Sequence, residues 1–220
     1  MRLFLSSYRF GANPDRFRAL VDYGTRVAVI AAAADAWPAT ARASAVVSDI
    51  APLRRLGYQA EEVDLREFVG CPDALADRLA PFRTVWVRGG NTFVLRAQMA
   101  RSGADEVIRD RVRSDSLVYA GYSAGACVAT PTLLGLDASD DPGEVRPTCA
   151  VEPLWEGLGF VDFAIVPHYP VQSTGESDVS LTDLAEVNRT ITTLRSAGIA
   201  YRTLTDDETI VVDGDKILSD

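Results

Sequence analysis

The feature that most constrains how this chain can fold is the alternation of short apolar, β-branched runs with longer segments of helical periodicity. Residues 26–31 read Arg-Val-Ala-Val-Ile-Ala, and 84–87 and 163–166 are similarly apolar and too short to be helices. Apolar runs without alternation suit strands covered on both faces, as in a parallel sheet whose crossover connections are helices. Further strands are expected at 3–6, 60–65 and 116–119, and helices at 14–23, 41–56, 93–99, 104–112 and 181–197. A terminal hairpin is expected from 209–212 with Asp213-Gly214-Asp215 as its turn. The expected architecture is therefore α/β, a mostly parallel central sheet flanked by helices. One polar stretch, 135–150, lacks clear periodicity and reads as a long loop of the kind that often carries function.

No repeat, low-complexity tract or linker interrupts the pattern, so a single domain over 1–220 is expected. A formal charge of −9, from 31 acidic and 22 basic residues, gives no overall attraction to nucleic acid or anionic lipid. Cys71, Cys127 and Cys149 are widely spaced, with no C-x-x-C pair to suggest a metal or redox site, and read as buried free thiols. The first ten residues hold too short an apolar run for a secretory signal, and no segment reads as a membrane span; a cytoplasmic location is expected.

Chemistry enters at Gly121-Tyr122-Ser123-Ala124-Gly125. The pattern is common, but here an apolar strand precedes it and a helix can begin at Ala124. A serine on such a strand-to-helix turn projects its hydroxyl at the carboxyl end of its strand, where open α/β sheets bind ligands. The Ala124 amide, at the helix start, would face a developing oxyanion. Serine needs a base, and the chain holds one histidine, His168, placed after an apolar strand and Pro167. An imidazole base in turn needs a carboxylate. Asp137, Asp140, Asp141 and Glu144 cluster in the loop after the elbow, and the residues alone do not choose among them. Gly89-Gly90-Asn91 ends one strand and opens a helix, with Asn91 as its cap and backbone amides available as a second oxyanion donor.

Taken together, four ordered motifs resemble the peptidase E family, aspartyl dipeptidases related to the cyanophycinases with a fold similar to class I glutamine amidotransferases. They are Val87-Arg88-Gly89-Gly90-Asn91-Thr92-Phe93, Tyr119 to Ala126, Gly157-Leu158-Gly159-Phe160 running to Pro167-His168, and Thr205-Asp206-Asp207 through Val212-Asp213-Gly214. The resemblance implies Ser123 as nucleophile, His168 as base, and the amides of Gly90 and Ala124 as oxyanion hole. It favours Asp140 or Asp141, just before Pro142, as the acidic member, with Glu144 the next candidate. It implies hydrolysis of very short peptides, dipeptides with aspartate at the amino end, without metal or cofactor, by a monomer or homodimer. The arginine expected after the histidine to hold the substrate's carboxylate has no counterpart, since 171–182 contains neither Arg nor Lys; Arg88, Arg146 and Arg189 are the candidates to replace it. Two other readings remain: a β-aspartyl or isopeptide hydrolase of cyanophycinase type, and an inactive amidotransferase-like binding domain. A thiol enzyme is disfavoured, because the nearest cysteine, Cys127, lies beyond the elbow.

Overall fold

A computed structural model describes residues 1–170 and 181–219. The strands are β1 (Arg2–Ser6), β2 (Arg26–Ile30), β3 (Gln59–Glu62), β4 (Thr84–Val87), β5 (Val118–Tyr122), β6 (Ala164–Val166), β7 (Tyr201–Thr203), β8 (Thr209–Asp213) and β9 (Lys216–Ser219). The helices are α1 (Pro14–Leu20), α2 (Ala39–Arg55), α3 (Pro72–Leu79), α4 (Thr92–Ser102), α5 (Ala104–Arg113), α6 (Ala124–Cys127), α7 (Val145–Cys149) and α8 (Leu181–Ser196). None is long and apolar enough, among the described residues, to cross a membrane.

Seven strands form one sheet in the order β3-β2-β4-β5-β1-β8-β9. The first five run parallel, while β8 pairs antiparallel with β1 and closes the expected hairpin with β9. Period-two alternation sorts the strand residues onto two cores. Leu3, Leu5, Val85, Val87 and Tyr119 pack on the α4 and α6 side. Phe4, Val27, Val29, Trp86, Ala120 and Tyr122 pack on the α1 and α2 side. Both faces are thus dry, which explains why β2, β4 and β5 carry unbroken apolar runs.

Two elements depart from the sequence expectation. Helix α3 spans only eight residues and buries just Leu75 and Leu79, too few apolar contacts to show a period, and Cys71, which precedes it, is exposed rather than buried as expected. Strand β7 is only three residues long and half-buried, yet it pairs parallel with β6 in a second, two-stranded sheet. The 135–150 segment is not an open loop either. Short helical turns at Leu136–Ala138 and Pro142–Glu144 lead into α7 and fold it down on the start of α4.

Candidate active site

The carboxyl ends of β4, β5 and β1 lie side by side, and each delivers part of one cleft: Gly89-Gly90, Ser123 and Ser7. Ser123 occupies a backbone conformation that L-residues rarely adopt, φ +50° and ψ −118°, between the end of β5 and the first residue of α6. The turn is this tight because the neighbouring glycines leave it room. A Cβ on Gly121 would stand 2.3 Å from the Gly125 carbonyl oxygen, and one on Gly125 would stand 2.1 Å from that of Val87. The Gly125 carbonyl also accepts a 2.6 Å hydrogen bond from the buried Tyr119 hydroxyl, and the Ser123 amide donates to Ser6 O at 3.0 Å. The elbow is therefore clamped from below and from the side, and its serine points into the cleft.

His168 reaches the same cleft from the small sheet. Its Nε2 lies 3.0 Å from Ser123 Oγ, and its Nδ1 lies 2.7 Å from Asp206 Oδ1. A carboxylate only accepts, so the bond to Asp206 places the ring proton on Nδ1 and leaves the Nε2 lone pair facing the serine hydroxyl. Ser7 braces both partners, accepting from the His168 amide at 2.7 Å and donating to Asp206 Oδ1 at 2.8 Å. The pairing of β6 with β7 explains how residues so distant in sequence meet. Because the strands are parallel, their carboxyl ends emerge together; Leu204 N donates to Val166 O at 3.0 Å and Tyr169 N to Leu204 O at 2.9 Å. His168 follows the first strand and Asp206 the second. The turn bearing Asp206 is closed by Glu208 N to Thr205 O at 3.0 Å and by Thr205 N to Glu208 Oε2 at 2.7 Å.

The carboxylates expected to serve His168 are engaged elsewhere. Asp140 Oδ2 accepts from the Thr92 amide at 2.9 Å and the Thr92 hydroxyl at 2.5 Å, tying the 135–150 segment to the N-terminus of α4. Burial raises the Asp140 carboxyl above its usual value, with the Thr92 hydrogen bonds opposing. Asp141 caps the following turn through Gly143 N at 2.8 Å, and Glu144 accepts from Asn91 Nδ2 at 2.8 Å. Asp137 is exposed. The structure thus pairs His168 with Asp206, and Asp140 and Asp141 make no hydrogen bond to it. Asp206 stood within the last motif of the sequence, but nothing local distinguished it from the other acids.

The rest of the cleft also follows from strand ends. Neither the Gly90 amide nor the Ala124 amide donates a hydrogen bond to any described residue. Gly89 runs beside Ser123, since a Cβ there would lie 3.3 Å from Ser123 Oγ. Asn91 caps α4, its side-chain oxygen accepting from Phe93 N at 2.9 Å and Val94 N at 3.0 Å. Cys127 is buried, its thiol turned toward Ile165 O at 3.6 Å and pushed far above its normal pKa by desolvation, which removes it as a nucleophile. No cluster of His, Cys, Asp or Glu suited to a metal occurs among the described residues. The cleft, a cavity of about 570 Å³, has opposite charges on its two walls. Arg9 and Arg88 contact Ser48 and Asp49 of α2, while Asp140, Asp141 and Glu144 are hydrogen-bonded to Asn91 and Thr92 at the start of α4. Arg9 went unrecognised in the sequence because nothing around it forms a motif. Arg146 is on the surface, paired with Glu152 at 3.2 Å, and Arg189 donates to Ala138 O at 2.8 Å; neither lines the cleft. The arginine-free stretch after the histidine lies, through residue 180, outside the described residues.

A serine on a clamped strand-to-helix elbow, facing an imidazole–carboxylate pair across the top of a mostly parallel sheet, defines an α/β protein of the nucleophile-elbow class. The chain belongs to peptidase family S51, whose profile matches residues 35–219. It is 32% identical over 117 residues to the uncharacterized peptidase Lin0382 of Listeria innocua, covering 53% of each chain. It is 37% identical over 87 residues to a probable alpha-aspartyl dipeptidase of Drosophila melanogaster, covering 40% of this chain and 33% of that one. The chain thus spans about half the length, or less, of these relatives. Its fold is shared with a crystal structure from Listeria monocytogenes EGD-e, provisionally named a peptidase E protein: the TM-score is 0.76 at 23% identity, covering 100% of this chain and 97% of that one.

Proposed function

We propose that the protein is a serine peptidase of very short peptides, acting through an acyl-enzyme on Ser123 with His168 as general base and Asp206 as its carboxylate partner. The observation that carries this reading is the continuous chain from Ser123 Oγ through His168 to Asp206 Oδ1, at 3.0 and 2.7 Å, on an elbow that holds Ser123 at φ +50°. His168 Nε2 takes the hydroxyl proton as Oγ attacks the scissile carbonyl. The Gly90 and Ala124 amides receive the oxyanion, and the imidazolium, stabilised by Asp206, hands the proton to the leaving amine. Water then repeats the sequence on the acyl-enzyme. No metal or cofactor takes part.

Substrate size follows from the cleft. Its volume suits a dipeptide, and its opposed charges match a zwitterion, with the ammonium toward Asp141 and Glu144 and a carboxylate toward Arg9. The preference for aspartate at the amino end is the finer part of the proposal, supported by the name of the Drosophila melanogaster relative.

The test is a panel of unblocked dipeptides that includes Asp-X, β-Asp-X and Ala-X, run beside Ser123→Ala. We expect Asp-X to be cleaved fastest and the variant to be inert while folded. Equal turnover by the variant would end the serine mechanism, and preference for β-Asp-X would move the substrate to the isopeptide class.

A further inference from the structure

Arg88 is a charged group that the mechanism above does not use. It follows β4 immediately before Gly89-Gly90, and its side chain is only 9% exposed. Asp49 of α2 faces it, with Nε 3.6 Å from Oδ2, and the Trp37 ring lies 5.2 Å from the guanidinium carbon. Asp49 Oδ1 is held by the Tyr122 hydroxyl at 3.0 Å and Trp86 Nε1 at 3.3 Å. Yet Asp49 Oδ2 and Arg88 Nη1 are both buried without a hydrogen-bond partner among the described residues. A buried ion pair with an unsatisfied atom on each side is a poor stabiliser, because desolvation offsets the Coulomb attraction. Its position calls for another reason.

That reason lies in the hydrogen bond that the Arg88 side chain makes: Nε donates to the Gly89 carbonyl oxygen at 2.9 Å. In a trans peptide the C=O and N–H point in opposite directions, so fastening the Gly89 oxygen turns the Gly90 N–H away from Arg88. The following peptide is fastened as well, through Asn91 N to Ala33 O at 2.9 Å. Gly90 sits between these two clamps at φ +141°, where a Cβ would stand 2.5 Å from Ala33 O. Its own amide has no partner among the described residues, and Gly90 lines the same cleft as Ser123.

We propose that Arg88, itself held by Asp49, is a positioning residue that fixes the Gly89–Gly90 peptide with its N–H preset for the oxyanion. The inference rests on the serine-peptidase reading of Ser123. A donor held in place before the reaction strengthens as charge develops and contributes little to binding the neutral carbonyl of the substrate. Losing the clamp therefore lowers kcat and leaves KM nearly unchanged.

The experiment measures the rate of fluorophosphonate labelling of Ser123, with kcat and KM on the best dipeptide, for the wild type, Arg88→Ala, Arg88→Lys and Asp49→Asn. For Arg88→Ala we expect kcat and the labelling rate to fall about tenfold to a hundredfold, with KM within about twofold. Added ethylguanidinium, which can occupy the vacated space, should restore part of the loss, a rescue that a general folding defect would not show. Asp49→Asn should move kcat the same way by roughly threefold to tenfold. If Arg88→Ala does not fold, Asp49→Asn and Arg88→Lys carry the test on the same criterion. Folded variants that label at the wild-type rate overturn the proposal. So does a raised KM at constant kcat, which would make Arg88 a ligand for a substrate carboxylate. A wild-type protein that does not label at Ser123 removes the serine reading itself, a different failure from wild-type labelling that is insensitive to Arg88.

Discussion

The two halves of the cleft are built by different means. The Gly89–Ser123 half belongs to the buried sheet: its geometry is set by backbone, by glycines that cannot bear a Cβ, and by hydrogen bonds within β4, β5 and the start of α6. The His168–Asp206 half stands on a two-stranded sheet at the molecular edge, with side chains 45% and 59% exposed, and depends on a few side-chain hydrogen bonds through Ser7. One half is rigid because it is packed. The other is positioned by pairing between strands far apart in the chain. Faults in the glycines and backbone of the first half should therefore cost stability along with rate, whereas loss of a reacting side chain, or a fault in the second half, should cost rate alone.

The largest effect is expected from Ser123→Ala, which should lower kcat/KM by at least about 10⁴-fold without changing the melting temperature appreciably, as read by dipeptide assay and thermal scan. Asp206→Asn should follow, with kcat down roughly 10²- to 10⁴-fold and stability nearly unchanged, since the group is exposed. Ser7→Ala removes the brace from both His168 and Asp206 and should cost about tenfold in kcat. On the rigid half, Gly125→Ala forces a Cβ against Val87 O and should destabilise by about 1–3 kcal/mol or more in denaturant titration, with activity lost in proportion to misplacement of the elbow. An unchanged midpoint there would show that the elbow is softer than its packing implies.

Asp140→Asn gives the smallest expected effect on rate, within about fivefold, because its carboxylate serves Thr92. Its signature is in stability. Burial raises the folded pKa of Asp140 above the unfolded value, so its contribution is complete at acid pH and is lost as pH rises through the folded pKa. Removing the group should flatten that part of the stability profile, measured by chemical denaturation across the acidic range.

The same contrast explains what the sequence revealed. The elbow was legible because its demands are local: glycines at 121 and 125 flank the serine on a strand-to-helix turn, and steric room is written into those few residues. His168 was legible because it is the single histidine of the chain. Its carboxylate was not, because 31 acidic residues offer no local mark and the partner lies 38 residues further on. What brings Asp206 there is β7, a three-residue strand too short to show a period. Proximity along the chain and the family resemblance favoured the acids of 135–150, but Asp140 and Glu144 turn toward α4, where the Thr92 amide and hydroxyl and the Asn91 side-chain amide satisfy them. The arginine pair in the cleft wall was half legible, Arg88 beside the glycines and Arg9 not at all.

The central claim is that Ser123, His168 and Asp206 act as one chemical unit. Its most direct test is the rate of fluorophosphonate labelling at Ser123, located by peptide mass spectrometry, compared between Asp206→Asn and Asp140→Asn. The account predicts that labelling slows by about 10²-fold or more in the first and stays within about fivefold of wild type in the second. The reverse order would contradict it and return the carboxylate's role to the loop after the elbow.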